Sequence, residues 1–213
     1  MNNYYTLIYL NRELNEKIRD GNFNFSISPH KDVLEIYIQS NEREYRLIFS
    51  TNPNETALFL DKYRPPKKSN VIDFFQGLEG LSIERLSLAE KDRLVYIYFE
   101  AEKHLLFKLY GGNPNVYLVE NDTIIDAFKN PEEVKGQEPP KPHAPSFADD
   151  ITAKAKPKNQ ITKLNPLLPR NLLPYLIEQH RVEDMTVPEV KDFVSTVTDA
   201  LENDAPPSPL ETG

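Results

Sequence analysis

Apolar residues recur along the first fifty positions with two different periods. Leu7, Leu10, Leu14 and Ile18 are spaced by three, four and four, which lines one face of a helix over residues 5–19. Asp20-Gly21 supplies its stop. The period then falls to two. Residues 22–28 and 33–40 read as strands around Ser28-Pro29-His30-Lys31-Asp32, with Leu34, Ile36 and Ile38 on one face. Asn41-Glu42-Arg43 turns the chain into a third strand over 44–50, where Tyr45, Leu47 and Phe49 alternate with Arg46 and Ile48.

Val71, Ile72, Phe74, Phe75 and Leu78 predict a short helix over 71–78, with Gly77 and Gly80 at its end. Leu86 and Leu88 belong to the strand that leads into Asp92. After Asp92-Arg93, the run Leu94-Val95-Tyr96-Ile97-Tyr98-Phe99 is β-branched and aromatic throughout. Leu105, Phe107 and Leu109 form a further alternating strand. Gly111-Gly112-Asn113-Pro114-Asn115 punctuates it, and Val116-Tyr117-Leu118-Val119 and Ile124-Ile125 complete an antiparallel meander. A helix followed by consecutive strands is an α+β signature, since a βαβ chain would alternate the two.

Six prolines between Asn130 and Lys158 deny regular pairing, so residues 136–158 are expected to be a Pro-rich linker after a domain over 1–135. A small helical unit is expected over 159–204. It begins at Asn165-Pro166-Leu167-Leu168, and its second helix starts at Thr186-Val187-Pro188-Glu189 and carries Val190, Phe193, Val194, Val197 and Leu201 on one face. Residues 205–213, rich in proline, are expected to be a disordered tail.

Composition narrows the chemistry. The 213 residues contain no cysteine, which removes disulfides, thiolate metal sites and cysteine nucleophiles together. His30, His104, His143 and His180 are far apart and show no ligand spacing, so no metal and no cofactor is expected. No apolar run approaches the roughly 18 residues of a membrane span, and the first residues lack the pattern of a signal peptide; a cytoplasmic protein without membrane contact is the expectation. A formal net charge of -8 opposes bulk attraction to nucleic acid, so any RNA contact must be local.

Two local features qualify. Lys62-Tyr63-Arg64-Pro65-Pro66-Lys67-Lys68 places four basic residues in seven around one aromatic ring. Lys62, Arg64, Lys67 and Lys68 are candidate contacts to RNA phosphates, against the plainer reading of a solubilising surface loop. Asp92-Arg93 sets a short acceptor beside a planar fork of donors at a strand entrance, which suits nucleotide edges or phosphates. The plainer reading is a solvated turn with a local ion pair.

Asp92-Arg93 opening an apolar strand, the Gly-Gly-Asn-Pro-Asn-Val-Tyr-Leu-Val element and Ile124-Ile125-Asp126-Ala127-Phe128-Lys129 together resemble the N-terminal domain of the NFACT family. The segment Glu13-Leu14-Asn15-Glu16-Lys17-Ile18 is similar to that family's first helix. The family includes ribosome quality-control factors of the RqcH type and proteins named fibronectin-binding protein A. The resemblance implies a fold like the N-terminal domain of formamidopyrimidine-type DNA glycosylases, with a helix-hairpin-helix-like unit after it. It also implies a non-enzymatic role: binding a large ribosomal subunit obstructed by peptidyl-tRNA and recruiting alanyl-tRNA, so that stalled chains receive a C-terminal alanine tail. Asp92 and Arg93 match the family's tRNA-binding pair. The fibronectin-binding name implies an alternative, an adhesion or protein-interaction module.

The family continues into a long coiled coil and a further domain, so the resemblance implies a fragment or a short member. Glycosylase lyase chemistry uses an N-terminal proline and glutamate, whereas this chain reads Met1-Asn2-Asn3 with no carboxylate before Glu13. Hairpins of the helix-hairpin-helix type bind phosphate through glycine-rich turns. No glycine occurs from Gln137 to Thr212, so a packing role is expected for the helical unit.

Overall fold

The computed structural model describes residues 3–52, 55–66 and 72–203. Helix α1 (Tyr4–Lys17) precedes ten strands: β1 (Asn22–His30), β2 (Val33–Ser40), β3 (Arg43–Ser50), β4 (Ala57–Lys62), β5 (Ile72–Phe74), β6 (Ile83–Leu88), β7 (Leu94–Phe99), β8 (Lys103–Lys108), β9 (Asn115–Glu120) and β10 (Thr123–Ala127). Helices α2 (Pro131–Val134), α3 (Pro157–Leu164), α4 (Leu173–Gln179) and α5 (Val187–Asn203) follow. The fold is α+β, with the strands in two antiparallel sheets of order β4-β3-β2-β1-β5 and β10-β9-β8-β7-β6.

The chain divides into two compact units. Among the described residues, one comprises the chain from 6 to 143, and the other the chain from 144 to 203 together with Asn3–Tyr5. The division falls inside the proline-rich stretch, between His143 and Ala144.

In the first unit the period-two residues meet between the sheets. Leu34, Ile36, Ile38, Leu47 and Phe49 of the first sheet share one core with Val95, Ile97, Phe99, Leu105 and Phe107 of the second. Phe49 meets Phe107 edge-on at 5.6 Å between centroids, and Phe23 meets Phe99 at 5.9 Å. Leu7, Leu10, Leu14 and Ile18 from the α1 segment join the same core, as their spacing requires. The sheets are stitched where Phe23 N–H donates to Leu81 and Ile83 N–H to the carbonyl of Gly21. A Cβ at residue 21 would lie 2.8 Å from the Gln39 carbonyl oxygen, so this close approach needs glycine.

Residues 72–78 do not form the helix that the apolar content of 71–78 suggested. Ile72–Phe74 adds an edge strand to β1, pairing Ser26 with Phe74 and Ser28 with Ile72; Gln76–Leu78 then makes one 3-10 turn. The free edge of β1 offers a complete ladder of partners, and Ser26 Oγ donates to the Phe74 carbonyl at 2.7 Å. That tertiary pairing outweighs a weak local preference in a segment rich in β-branched and aromatic residues. Val71 lies outside the described residues. Strand β4 is an addition to the sequence reading; Leu58 faces the core from it, while Phe59 is exposed.

The second unit is built on Ile161, Leu168, Leu173, Leu176, Val182, Val190 and Val194, all buried. Asn165, 2% exposed, binds it together. Its Nδ2 donates to Tyr5 Oη at 2.5 Å and to Thr198 Oγ1 at 2.7 Å, and its Oδ1 accepts the Leu167 N–H at 3.0 Å. Burial raises the Tyr5 pKa above the ordinary phenol value. Helix α5 starts with a cap made by Glu189. Glu189 Oε2 accepts from both the backbone N–H and the hydroxyl of Thr186, each at 2.7 Å, and these bonds lower the carboxyl pKa. The stretch predicted as a tail, residues 205–213, lies outside the described residues.

Candidate functional site

Asp92 and Arg93 occupy the turn between β6 and β7, where Lys91 takes the left-handed conformation at φ 56°. The two neighbours are used differently. Asp92 is only 8% exposed. One carboxylate oxygen accepts the Arg93 N–H at 2.6 Å, and the other accepts the N–H of His143 at 2.8 Å. The carboxylate therefore closes its own turn and anchors the proline-rich strand of chain that returns over the second sheet.

Arg93 is exposed, and its guanidinium pairs with no carboxylate among the described residues. It lies 5.7 Å from the centroid of the Tyr110 ring, against which Lys108 Nζ also lies at 5.4 Å. The local ion pair of the plainer reading does not form. An aromatic ring steadies two cations while leaving their donors available. Tyr110 has its pKa raised, first by burial and then by the charge of Asp92, with Arg93 opposing.

The outer face of the second sheet adjoins this turn. Val95, Ile97 and Phe99 point into the core, so Tyr96 and Tyr98 point outward. Their rings stack at 5.8 Å with 14° between planes, Arg85 sits 3.7 Å above Tyr98, and His104 lies beside both rings. Burial, with the charges of Tyr98, Asp92 and Tyr110, pushes the Tyr96 hydroxyl up to about 12. Burial lowers the pKa of His104. Further along this face Leu94, Leu106, Tyr117, Val119 and Ile124 form a second apolar cluster with Val134 of α2 packed on it.

The basic segment lies on the other sheet. Lys62 ends β4 and is exposed, with its backbone N–H on Asp61 Oδ1 at 2.8 Å. The Arg64 guanidinium is 3.8 Å from Asp61 and 71% exposed. Lys62 and Tyr63 line a depression of about 630 Å³ together with Lys17, Arg43, Tyr45 and Leu60. Lys67 and Lys68 lie outside the described residues. The structure therefore gathers Arg93, Tyr110 and Lys108 at one place, and Lys62, Tyr63 and Arg43 at another.

Tyr110 and Lys108 went unnoticed in the sequence reading, and His143 was weighed there only as a metal ligand. The outward tyrosines of β7 follow from its alternation once Val95, Ile97 and Phe99 are assigned inward. The bond between Asp92 and His143 spans 51 positions, and no local pattern announces it. Among the described residues no group of three histidine or carboxylate side chains is placed to hold a metal ion, and no helix is long and apolar enough to cross a membrane.

Two five-stranded antiparallel sheets sharing one core, a stapled turn between β6 and β7 and a separate helical unit define the class of molecule. Residues 4–135 match the family of NFACT N-terminal and middle domains, and the chain belongs to that family. No curated protein gives a significant sequence match. Among solved structures, the chain resembles the N-terminal domain of the fibronectin-binding protein PavA from Streptococcus pneumoniae, with 18% identity, coverage of 95% of this chain and 89% of that one, and a TM-score of 0.66. The fibrinogen-binding protein from Staphylococcus aureus is similar at 17% identity, covering 94% and 82%, with a TM-score of 0.73. The N-terminal part of the fibronectin/fibrinogen-binding protein from Streptococcus suis gives 17% identity, 90% and 83% coverage and a TM-score of 0.65. These likenesses establish a shared fold.

Proposed function

We propose that this chain is the RNA-binding part of a cytoplasmic ribosome-associated quality-control factor, which engages an obstructed large ribosomal subunit and holds tRNA for C-terminal tailing. In this reading the chain catalyses nothing; the ribosome transfers the peptide. The observation that carries the proposal is the contrast within the turn. Asp92 is stapled by two backbone N–H groups, and Arg93, held in place by that staple, shows an unpaired guanidinium beside Tyr110. Arg93 supplies the contact to a base edge or phosphate, and Asp92 positions it. Lys62 and Arg64 contribute a second, weaker contact to RNA phosphate, displaced from the first.

A second reading takes the chain as a protein-interaction module for fibronectin. Its support is the naming of the structural relatives, which are described as fibronectin- or fibrinogen-binding. The test is co-sedimentation with large subunits that carry peptidyl-tRNA, at rising salt, for the wild-type chain and Arg93→Gln, with immobilised fibronectin in parallel. The ribosomal reading expects salt-sensitive co-sedimentation that Arg93→Gln reduces at least tenfold. Salt-insensitive capture by fibronectin, with no binding to subunits, would overturn it.

A further inference from the structure

A cavity of about 420 Å³ opens between the β1–β2 turn, the loop Gly111–Asn115 and the end of β10. Three lysines line it, Lys31, Lys108 and Lys129, together with two carboxylates, Asp32 and Glu133. One carboxylate is matched by a cation and the other by a neutral amide. Asp32 Oδ1 takes Lys129 Nζ at 2.8 Å, and Glu133 Oε2 accepts the Asn130 side-chain amide at 3.0 Å. Lys31 and Lys108 have no carboxylate within ion-pair distance among the described residues. In a chain of net charge -8, three lysines against two carboxylates leave this lining at +1, a local positive site.

The walls are preorganised. Asn115, 5% exposed, accepts the backbone N–H groups of Val116 and Lys129 at 2.9 and 2.8 Å and donates to the Lys129 carbonyl at 3.0 Å, which locks the loop to the end of β10. Lys129 Nζ also donates to the Lys31 carbonyl, tying in the β1–β2 turn. At Gly111, with φ 76°, and at Gly112, no atom lies within 4 Å of where a side chain would begin, so a ligand can approach the loop backbone. Lys108, which lines this cavity, lies against the same Tyr110 ring as Arg93, so one ring neighbours both the cavity and the β6–β7 turn.

We propose that this cavity binds a phosphate group, with Lys31 and Lys108 as its cationic donors and the Gly112-Asn113 backbone beneath it, and that it takes a backbone phosphate of the RNA whose neighbouring nucleotide meets Arg93. The source of the phosphate rests on the RNA reading above; the chemistry of the cavity does not. A phosphate oxyanion accepts from ammonium and backbone N–H groups together, a combination that few other ligands use fully.

The test uses the full 213-residue chain. Amide chemical shifts of Gly111, Gly112, Asn113 and Asn115 are followed during titration with inorganic phosphate, against sodium chloride at equal ionic strength. tRNA affinity is measured across salt for wild type, Lys31→Gln with Lys108→Gln, and Arg93→Gln. The expected result is saturable movement of the loop amides with phosphate only, lost in the lysine variant. The lysine variant should also lower tRNA affinity and reduce the slope of log K against log salt by about 0.7, the value for one lost single-strand phosphate contact.

Loop amides that ignore phosphate, with wild-type tRNA affinity in the lysine variant, overturn the inference even if Arg93→Gln weakens binding and so upholds the RNA reading. Loop amides that respond to phosphate in a chain that binds no tRNA keep the phosphate site and remove the RNA reading.

Discussion

On the outer face of the first sheet Arg46 bridges Glu35 at 3.0 Å and Asp61 at 2.7 Å, and its side chain is 12% exposed. At the edge of the second sheet Arg93 is exposed, has no carboxylate partner among the described residues and rests beside an aromatic ring. The same side chain serves opposite ends. Arg46 joins three adjacent strands, since Tyr37, Arg46 and Asp61 are successive cross-strand neighbours and Tyr37 Oη donates to Glu35 at 2.8 Å. Burial, then the hydrogen bond to Glu35, pushes that phenol up to about 12. A guanidinium whose two terminal nitrogens are taken by carboxylates inside the molecule holds strands together; one whose donors are displayed is free to bind an anion. Sequence alone presents one as a polar position within a strand and the other as a charge at a strand entrance, with neither partner visible.

Replacing Arg46 gives the largest effect. Arg46→Ala leaves Glu35, 13% exposed, without its cation, and should cost about 2–4 kcal/mol by urea denaturation, near the lower end for a broken buried pair. tRNA affinity per folded molecule should not change. A loss below about 0.5 kcal/mol would place Arg46 among ordinary surface charges and dissolve the contrast.

Asp92→Ala comes next. It removes a charged acceptor from the N–H groups of Arg93 and His143, so a loss of about 1.5–3 kcal/mol is expected. Proteolysis within the proline-rich stretch before His143 should accelerate as its anchor is lost. Asp92→Asn keeps one carbonyl acceptor and should fall between the two. If Asp92→Ala is as stable as wild type, the staple contributes nothing and the carboxylate is free for another role.

A smaller effect concerns His104, whose pKa burial holds below the ordinary value of 6.5. The unfolded chain binds the proton more readily, so the stability gained from the neutral ring is complete above that value. It is lost as pH falls from there through the lower folded pKa. Asp32 and Asp61 have lowered pKa values, and their contribution fades only at more acid pH. Urea midpoints between pH 7.5 and pH 5.5 should therefore decline less in His104→Phe than in wild type. Equal declines would mean that the ring titrates as it does in water.

The smallest change in stability is expected at Arg93. Arg93→Gln should stay within about 0.5 kcal/mol of wild type, because its side chain makes no ion pair and is exposed. This near-neutrality sharpens the comparison with Arg46, since any loss of binding is then a loss of contact.

The sequence shows part of this arrangement and hides the rest for identifiable reasons. The α1 stripe and the strands of the meander are legible because their apolar residues repeat with the period of the element that buries them, as Leu7, Leu10, Leu14 and Ile18 or Val95, Ile97 and Phe99 do. Residues 72–74 mislead because three residues carry too little periodicity to outvote the free edge of β1. Asp92-Arg93 stands out as a charged interruption before an apolar run. Its division of labour depends on His143 and Tyr110, contacts that only the folded chain creates.

The central claim is that Arg93, positioned by a structural Asp92, is the contact to RNA. The most direct measurement is the equilibrium affinity of tRNA for the wild-type chain, Arg93→Gln and Arg46→Met, at one physiological salt concentration and with folded fraction established by denaturation. The account predicts that Arg93→Gln, as stable as wild type, binds tRNA at least tenfold more weakly, about 1.4 kcal/mol, while Arg46→Met keeps its affinity. Wild-type affinity in a fully folded Arg93→Gln chain would contradict it.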